Sequence, residues 1–227
     1  MNYKTINSDY LKNNPSWHVE DSPWKAKQIL KLIARNKLEF KTICEVGCGA
    51  GQIINYLHDK LPETNFFGYE ISEDAYTMAK SLENDRLKYY NQDLFLEKVN
   101  YDVLLIMDVV EHVKDYFGFL EKCQKSAKNK IFHFPLDMSI LSIIRNDIMR
   151  DRKKLGHLHY FSKDTVLATL KECDHEILDW FYTPGIEINN HTFKQKVLNI
   201  FRKILFKINK DFAVKALSGY SIIVLTK

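Results

Sequence analysis

Four cysteines in 227 residues are too few, and too scattered, for a disulfide framework. Cys44 and Cys48 stand close together, but no second Cys or His pair at zinc spacing accompanies them, so no structural zinc site is expected. No run approaches the ~18 apolar residues a membrane span needs. The opening residues, Met1 to Asp9, lack the apolar stretch of a secretory signal. These absences favour a reducing, cytoplasmic setting. There is also no Gly-x-x-x-x-Gly-Lys-Ser/Thr run, which removes the phosphate-binding P-loop. A formal charge of +4 is too small to imply nucleic-acid binding by itself. No internal repeat or low-complexity linker divides the chain.

What is present suits one large domain spanning 1–227, since 45% hydrophobic residues suffice for a sizeable core. Ser22-Pro23-Trp24 starts a helix, with Ser at the N-cap and Pro at the first helical position. Ile29, Leu30, Ile33 and Ala34 carry its apolar face to about Leu38, within an N-terminal cap region over 1–40. Short apolar runs then alternate with helical patterns. Strands are expected at Thr42–Val46, Phe66–Glu70, Leu87–Tyr90, Tyr101–Met107 and Lys130–Phe134, and later at Glu176–Tyr182 and Tyr220–Thr226. Helices are expected at 52–60, from Ser72 to about Leu82, and at 115–127. Such alternation implies a parallel sheet covered on both faces.

The chemistry concentrates after the first strand, in Glu45-Val46-Gly47-Cys48-Gly49-Ala50-Gly51. Glycines at alternate positions let the backbone turn sharply and approach a ligand without side-chain interference. A dinucleotide fingerprint would need Gly-x-Gly-x-x-Gly, whereas here the third glycine comes one residue early, before Gln52. The leading Glu45 would repel a pyrophosphate and instead suits a ligand carrying an ammonium and a sulfonium.

This loop resembles motif I of the class I S-adenosylmethionine-dependent methyltransferases, and the resemblance extends over most of the chain. Glu70 closes the next strand, about twenty residues on, where a carboxylate can accept both ribose hydroxyls. Asn91-Gln92-Asp93-Leu94 follows the third strand, where the family places an acid bonding the adenine amino group. Tyr101 to Asp108 resembles motif IV, and Val109-Val110-Glu111-His112-Val113 is similar to the "EHV" segment of the subgroup containing ubiquinone-type O-methyltransferases. The resemblance implies a Rossmann-like α/β fold. Its seven-stranded sheet is mostly parallel, the last strand antiparallel, with helices on both faces. It also implies S-adenosylmethionine as cofactor, contacted by Glu45, Gly47, Cys48, Gly49, Gly51, Glu70, Ile71, Asp93, Leu94 and Asp108. One departure is Ser126–Lys130, which replaces the Gly-Gly turn many relatives carry before the fifth strand.

Methyl transfer to a hydroxyl is helped by a base, and histidine titrates near neutrality. The candidates are His112, after the fourth strand, and the pair His157 and His159 in Gly156-His-Leu-His-Tyr-Phe-Ser162. Asp108-x-x-Glu111-His112 also raises the question of Mg²⁺, but the expectation is no metal, with Asp108 facing the cofactor. Trp17, His18 and Trp24 are candidates for lining the acceptor pocket.

Two segments exceed a minimal alternating sheet. One is an insertion over 136–160 that ends its helical part in a basic run, Arg150 to Lys154. The other, over 190–215, contains a basic amphipathic helix at 192–210. Phe193, Val197, Ile200, Phe201, Ile204, Leu205 and Ile208 form its apolar face. Core packing or a substrate cap is its common use; contact with a membrane surface is the alternative. The acceptor is thus expected to be a small molecule, a sugar or a lipid-linked compound, methylated at oxygen. Competing readings are a non-catalytic S-adenosylmethionine-binding partner subunit and an RNA-directed enzyme. DNA is not expected, because Met107-Asp108-Val109-Val110 stands where amino-directed DNA enzymes carry Asp/Asn-Pro-Pro-Tyr. A homodimer is compatible with the sequence but nothing specifies one.

Overall fold

A computed structural model describes Trp17, residues 19–185 and residues 193–227, with side chains omitted for 193–198. Seven strands form one sheet in the order β3-β2-β1-β4-β5-β7-β6. They are β1 (Thr42–Val46), β2 (Asn65–Tyr69), β3 (Leu87–Tyr90), β4 (Tyr101–Met107), β5 (Ala127–Pro135), β6 (Ile177–Pro184) and β7 (Tyr220–Thr226). Only β7 runs against its neighbours, pairing antiparallel with β5 and β6. The seven-stranded, mostly parallel, Rossmann-like arrangement is therefore as the motifs imply.

The central strands are apolar almost throughout because both faces are covered. Successive residues project to opposite faces, so each strand feeds two cores. Cys44, Leu104, Phe132 and Val224 join one cluster, and Ile43, Leu105, Ile131 and Ile223 the other. Helices α1 (Ser22–Asn36) and α2 (Gln52–Lys60) cover the second face through Ile29, Leu32, Ile54 and Leu57. Helices α4 (Tyr116–Ser126) and α7 (Lys163–Glu172) cover the first through Leu120, Val166 and Leu170. The short α3 (Glu73–Lys80) lies between β2 and β3 in the chain. Asp102 fastens β4 to β1: its carboxylate accepts the backbone N–H groups of Lys41 and Thr42 at 2.8 and 2.9 Å.

Some expected boundaries move. The N-cap of α1 is Asp21, not Ser22; Ser22 is helical and buried, so it packs where an exposed cap would sit. Where relatives carry a Gly-Gly turn, α4 passes directly from Ser126 into β5 at Ala127. The 136–160 insertion folds as α5 (Ile140–Ile144) and α6 (Asp147–Lys154).

The helix expected over 192–210 is α8 (Phe193–Ile208), separated from α9 (Lys210–Ala216) by Asn209, whose side chain caps α9 by accepting from Phe212 N–H. Much of its apolar stripe faces outward. Ile200, Phe201, Ile204 and Ile208 are exposed, while Arg202 is buried and Leu205 and Phe206 pack on the core. Phe193 and Val197 lie outside the described side chains. No helix among the described residues is long and apolar enough to cross a membrane.

Gly68 on β2 shows how tightly the loop side is packed. An added Cβ would lie 2.6 Å from Tyr89 Cδ1 and 2.8 Å from Cys48 Sγ. Tyr89 cannot swing away without breaking its hydroxyl bond to the Gly51 carbonyl, 2.7 Å. Gly68→Ala should therefore destabilise the fold by about 1–3 kcal/mol, the usual cost of overpacking; thermal unfolding measures it as a lower Tm.

Candidate active site

Strand order dictates where a ligand can sit. The chain moves outward from β1 to β3 on one side and from β4 to β5 on the other, leaving a crevice at the C-terminal ends of β1 and β4. Glu45 lies at the C-terminal end of β1, and the glycine loop, Glu70, Asp93 and Asp108 follow the ends of β1, β2, β3 and β4.

The loop works as its composition predicts. Gly47, Gly49 and Gly51 have φ of +65°, +53° and +77°, in the region that favours glycine. Gly47 and Cys48 N–H both donate to the Tyr69 carbonyl, at 2.8 and 3.2 Å, which pins the loop to β2. Glu70 accepts Gly49 N–H at 2.9 Å and Ser72 N–H at 2.8 Å. One carboxylate thus sets the loop and the turn after β2, and each oxygen keeps a second lone pair for a hydroxyl. Asp93 is exposed and caps the short 3-10 turn Leu94–Leu96 by accepting Phe95 N–H at 3.0 Å. Leu94 is in the core, whereas Ile71 is exposed at the mouth of the crevice. Cys48 packs beside Gly68.

Glu45 is buried, and its Oε2 has no hydrogen-bond partner among the described residues. Burial pushes its carboxyl up to about 8, with Glu70 adding to the rise and Lys25 opposing it. A buried carboxyl with an unpartnered oxygen, beside an open glycine cradle, fits a cationic nucleoside. A Cβ on Gly49 would meet nothing nearer than Trp17 Cε3 at 3.9 Å, so Trp17 lies over the loop.

Asp108, at φ +57°, ends β4 in a network that residue spacing did not reveal. It pairs with Lys25 Nζ at 2.6 Å and with His133 Nδ1 at 2.5 Å; His133 Nε2 in turn meets Thr183 Oγ1 at 2.9 Å. Burial works to raise the Asp108 carboxyl, but the charges of His133 and Lys25 outweigh it and hold the group well below the usual range. Trp24 stands edge-on to His133, with ring centroids 5.9 Å apart. Lys25, His133 and Thr183 were missed because they come from three distant segments and match no motif. His18 lies outside the described residues.

The three candidate bases separate. The backbone carbonyl of Glu111 accepts the N–H groups of Leu158 and His159, drawing the segment after α6 against the 3-10 turn Val110–His112. This brings the His112 and His157 rings within 5.1 Å, nearly perpendicular. His112 Nδ1 lies 3.3 Å from the Gly156 carbonyl, and His157 Nδ1 lies 2.9 Å from Asp137 Oδ2. His159 does not join them. Its Nε2 meets the Val113 carbonyl at 3.0 Å and its ring lies against Tyr116. Burial, reinforced by His157, pushes the His112 imidazole down to about 4, so it is neutral at pH 7. Asp137 carried no sequence signal, because its meaning comes from His157.

The metal question also shifts. Asp108 is engaged by Lys25 and His133, so the group with ligand-forming geometry is Glu111, His112 and His157, with ligand atoms within 4.8 Å of one another. Glu111 is fully buried and neither carboxyl oxygen has a partner among the described residues. Burial, and secondarily Asp108, raises its carboxyl well above the ordinary range.

Comparison with known proteins agrees with this anatomy. Residues 44–130 match the family model described as a methyltransferase domain. No curated protein matches the chain by sequence. Among solved structures, it resembles the magnesium protoporphyrin IX methyltransferase of Synechocystis, solved with bound S-adenosylhomocysteine (TM-score 0.60, 15% identity, 100% of this chain and 87% of that one). It also resembles a SAM-dependent methyltransferase from Archaeoglobus fulgidus (TM-score 0.56, 16% identity, 89% and 94%). A third is the phosphoethanolamine N-methyltransferase 2 of Haemonchus contortus (TM-score 0.61, 13% identity, 88% and 52%). Residues 44–130 thus carry the pattern of a methyltransferase domain, and the chain shares the fold of structures solved as S-adenosylmethionine-dependent methyltransferases. The open glycine cradle and the buried Glu45 carboxyl fit S-adenosylmethionine as cofactor.

Glu45 ties the site to pH. Its folded value of about 8 lies above the ordinary 4.5, so the folded chain holds a proton that the unfolded chain releases. The associated stability is fully present below about pH 4.5 and is lost as pH rises through about 8. Glu45→Gln should flatten this decline in the cofactor-free protein, as read from urea midpoints between pH 5 and pH 8.

Proposed function

We propose that the chain methylates an acceptor hydroxyl, with His112 as the general base and His157 and Asp137 positioning it. The observation that carries this reading is the His112–His157 pair, backed by Asp137 and held beside the end of β4. S-adenosylmethionine, when bound, supplies an electrophilic methyl group on a sulfonium sulfur. His112 would accept the proton of an acceptor hydroxyl placed against its Nε2 as that oxygen takes up the methyl group. An Nδ1–H donated to the Gly156 carbonyl fixes the tautomer in which Nε2 is the basic nitrogen. Depression of the imidazole to about 4 keeps it unprotonated at neutral pH. Trp17 over the glycine loop and Trp24 beside His133 are suited to excluding water from the transfer. The acceptor is a small molecule, a sugar or a lipid-linked compound.

The test is a methyl-transfer screen across phenols, sugars and lipid extracts, read by product mass. With an acceptor in hand, His112→Ala should lower kcat about 10²–10⁴-fold while S-adenosylhomocysteine affinity stays within about twofold. His159→Ala should leave kcat nearly unchanged. Tight cofactor binding with no product from any acceptor would favour the non-catalytic partner reading instead.

A second reading rests on the orphaned Glu111 carboxyl. Glu111, His112 and His157 offer one oxygen and two imidazole nitrogens, a donor set suited to a transition-metal cation more than to magnesium. Under this reading Mn²⁺ raises Tm and Glu111→Gln abolishes the rise. An unchanged Tm, with activity indifferent to chelator, leaves the metal-free base.

A further inference from the structure

Between α5, α6 and α8 lies a cavity of about 570 Å³. Its walls include Arg145 at the C-terminus of α5, Asp147, Arg150 and Asp151 from α6, and Arg202 from α8. Asp137, the partner of His157, lines the same cavity. The cavity therefore extends to residues that support the proposed base.

Its charges are unevenly paired: Arg145, Arg150, Lys154 and Arg202 line it with Asp137, Asp147 and Asp151. Arg150 is matched by two carboxylates, Asp147 at 2.5 Å and Asp151 at 3.0 Å. Arg145 reaches Asp147 only at 3.8 Å and is half exposed. Arg202 is 9% exposed, and no carboxylate among the described residues forms an ion pair with it. Its Nη1 donates to Asn199 Oδ1 and its Nη2 to Ser218 Oγ, while Nε has no partner. Gly219, at φ +89°, makes room for this guanidinium; a Cβ there would lie 3.3 Å from Arg202 Cζ. Arginine does not shed its proton to escape burial. A buried guanidinium without a counter-ion costs several kcal/mol, so its natural complement is a bound anion. Two incompletely matched guanidiniums suit an anion, and a phosphate meets their planar donor geometry.

We propose that this cavity is the acceptor's anion subsite, holding the phosphate or diphosphate of a phosphate ester between Arg202 and Arg145. The inference rests on the methyl-transfer reading only in calling the ligand the acceptor. The phosphate could belong to a soluble ester or to a lipid. The surface favours the lipid, because both helices that supply the arginines present apolar side chains to solvent. Ile140, Ile143 and Ile144 do so on α5, and Ile200, Ile204 and Ile208 on α8. Lys203 and Lys207 are exposed on the same stretch of α8, a combination that suits an anionic lipid surface.

The test uses the full chain with pyrophosphate, followed by calorimetry. Saturable binding is expected, and Arg145→Gln, at a half-exposed position that tolerates change, should weaken it about tenfold or more. S-adenosylhomocysteine affinity should stay the same in that variant. Arg202→Gln should weaken pyrophosphate binding further, if its Tm shows it folded. Sedimentation with phosphatidylcholine vesicles, with and without phosphatidic acid, distinguishes the sources. Binding that needs phosphatidic acid and is lost in both Arg145→Gln and Ile204→Ser supports a lipid-borne phosphate. Pyrophosphate binding without vesicle binding supports a soluble phosphate ester in the same subsite. No saturable pyrophosphate binding, or binding unchanged in Arg145→Gln, overturns the subsite. Because cofactor affinity and methyl transfer are read separately, that failure would leave the proposed function standing.

Discussion

One partly buried carboxylate, Asp108, ties together the crevice edge of this molecule. It ends β4, and through Lys25 it binds α1, which covers the second face of the sheet. Through His133 it binds β5, and through Thr183 the link extends to β6 at the far edge. A carboxylate withdrawn from water is stabilised by the opposite charge and hydrogen bonds around it. Removing Asp108 would leave Lys25 without its counter-charge and His133 without its partner. The same constraint sets the left-handed backbone at Asp108, and so the direction in which the chain enters Val110–His112.

From this anchor the two halves of the site have different physical characters. The cofactor half is built from backbone: three glycines with positive φ, their N–H groups fastened by the Tyr69 carbonyl and the Glu70 carboxylate. The half proposed to take the acceptor is built from side chains gathered across the 136–160 insertion. There Glu111 holds the returning chain through its carbonyl, and Asp137 holds His157. The first depends on local geometry that relatives with little sequence in common can share. The second depends on contacts between segments about 45 residues apart in the chain, which is where substrate choice can change while the sheet does not.

These characters explain what was legible in the sequence. The strands could be read because inner strands of a doubly covered sheet are apolar almost throughout. The loop could be read because alternating glycines have few other uses after a strand. Glu70 and Asp108 follow the ends of β2 and β4 as the strand pattern implies, yet Asp108 spends its charge on Lys25 and His133, and neither position advertises that. His112 and His157 were both candidates, but the separation of His157 from His159 depends on where each ring points two residues apart. The helix at 192–210 misled in another way. Its apolar periodicity suited core packing, a substrate cap or a membrane surface; the structure packs Leu205 on the core, buries Arg202 and exposes Ile200, Ile204 and Ile208. Periodicity tells which residues share a face, not which environment that face meets.

By itself, then, the sequence determined the alternation of strands and helices, the glycine cradle and the acids at the strand ends. Each of these follows from residues near one another in the chain. Tertiary structure alone decided that Asp108 is neutralised by Lys25 and His133, that His112 is paired with His157 in front of Asp137, and that Arg202 is buried beside Arg145. Those outcomes depend on burial and on the distance between charges, quantities that exist only once distant segments have packed together.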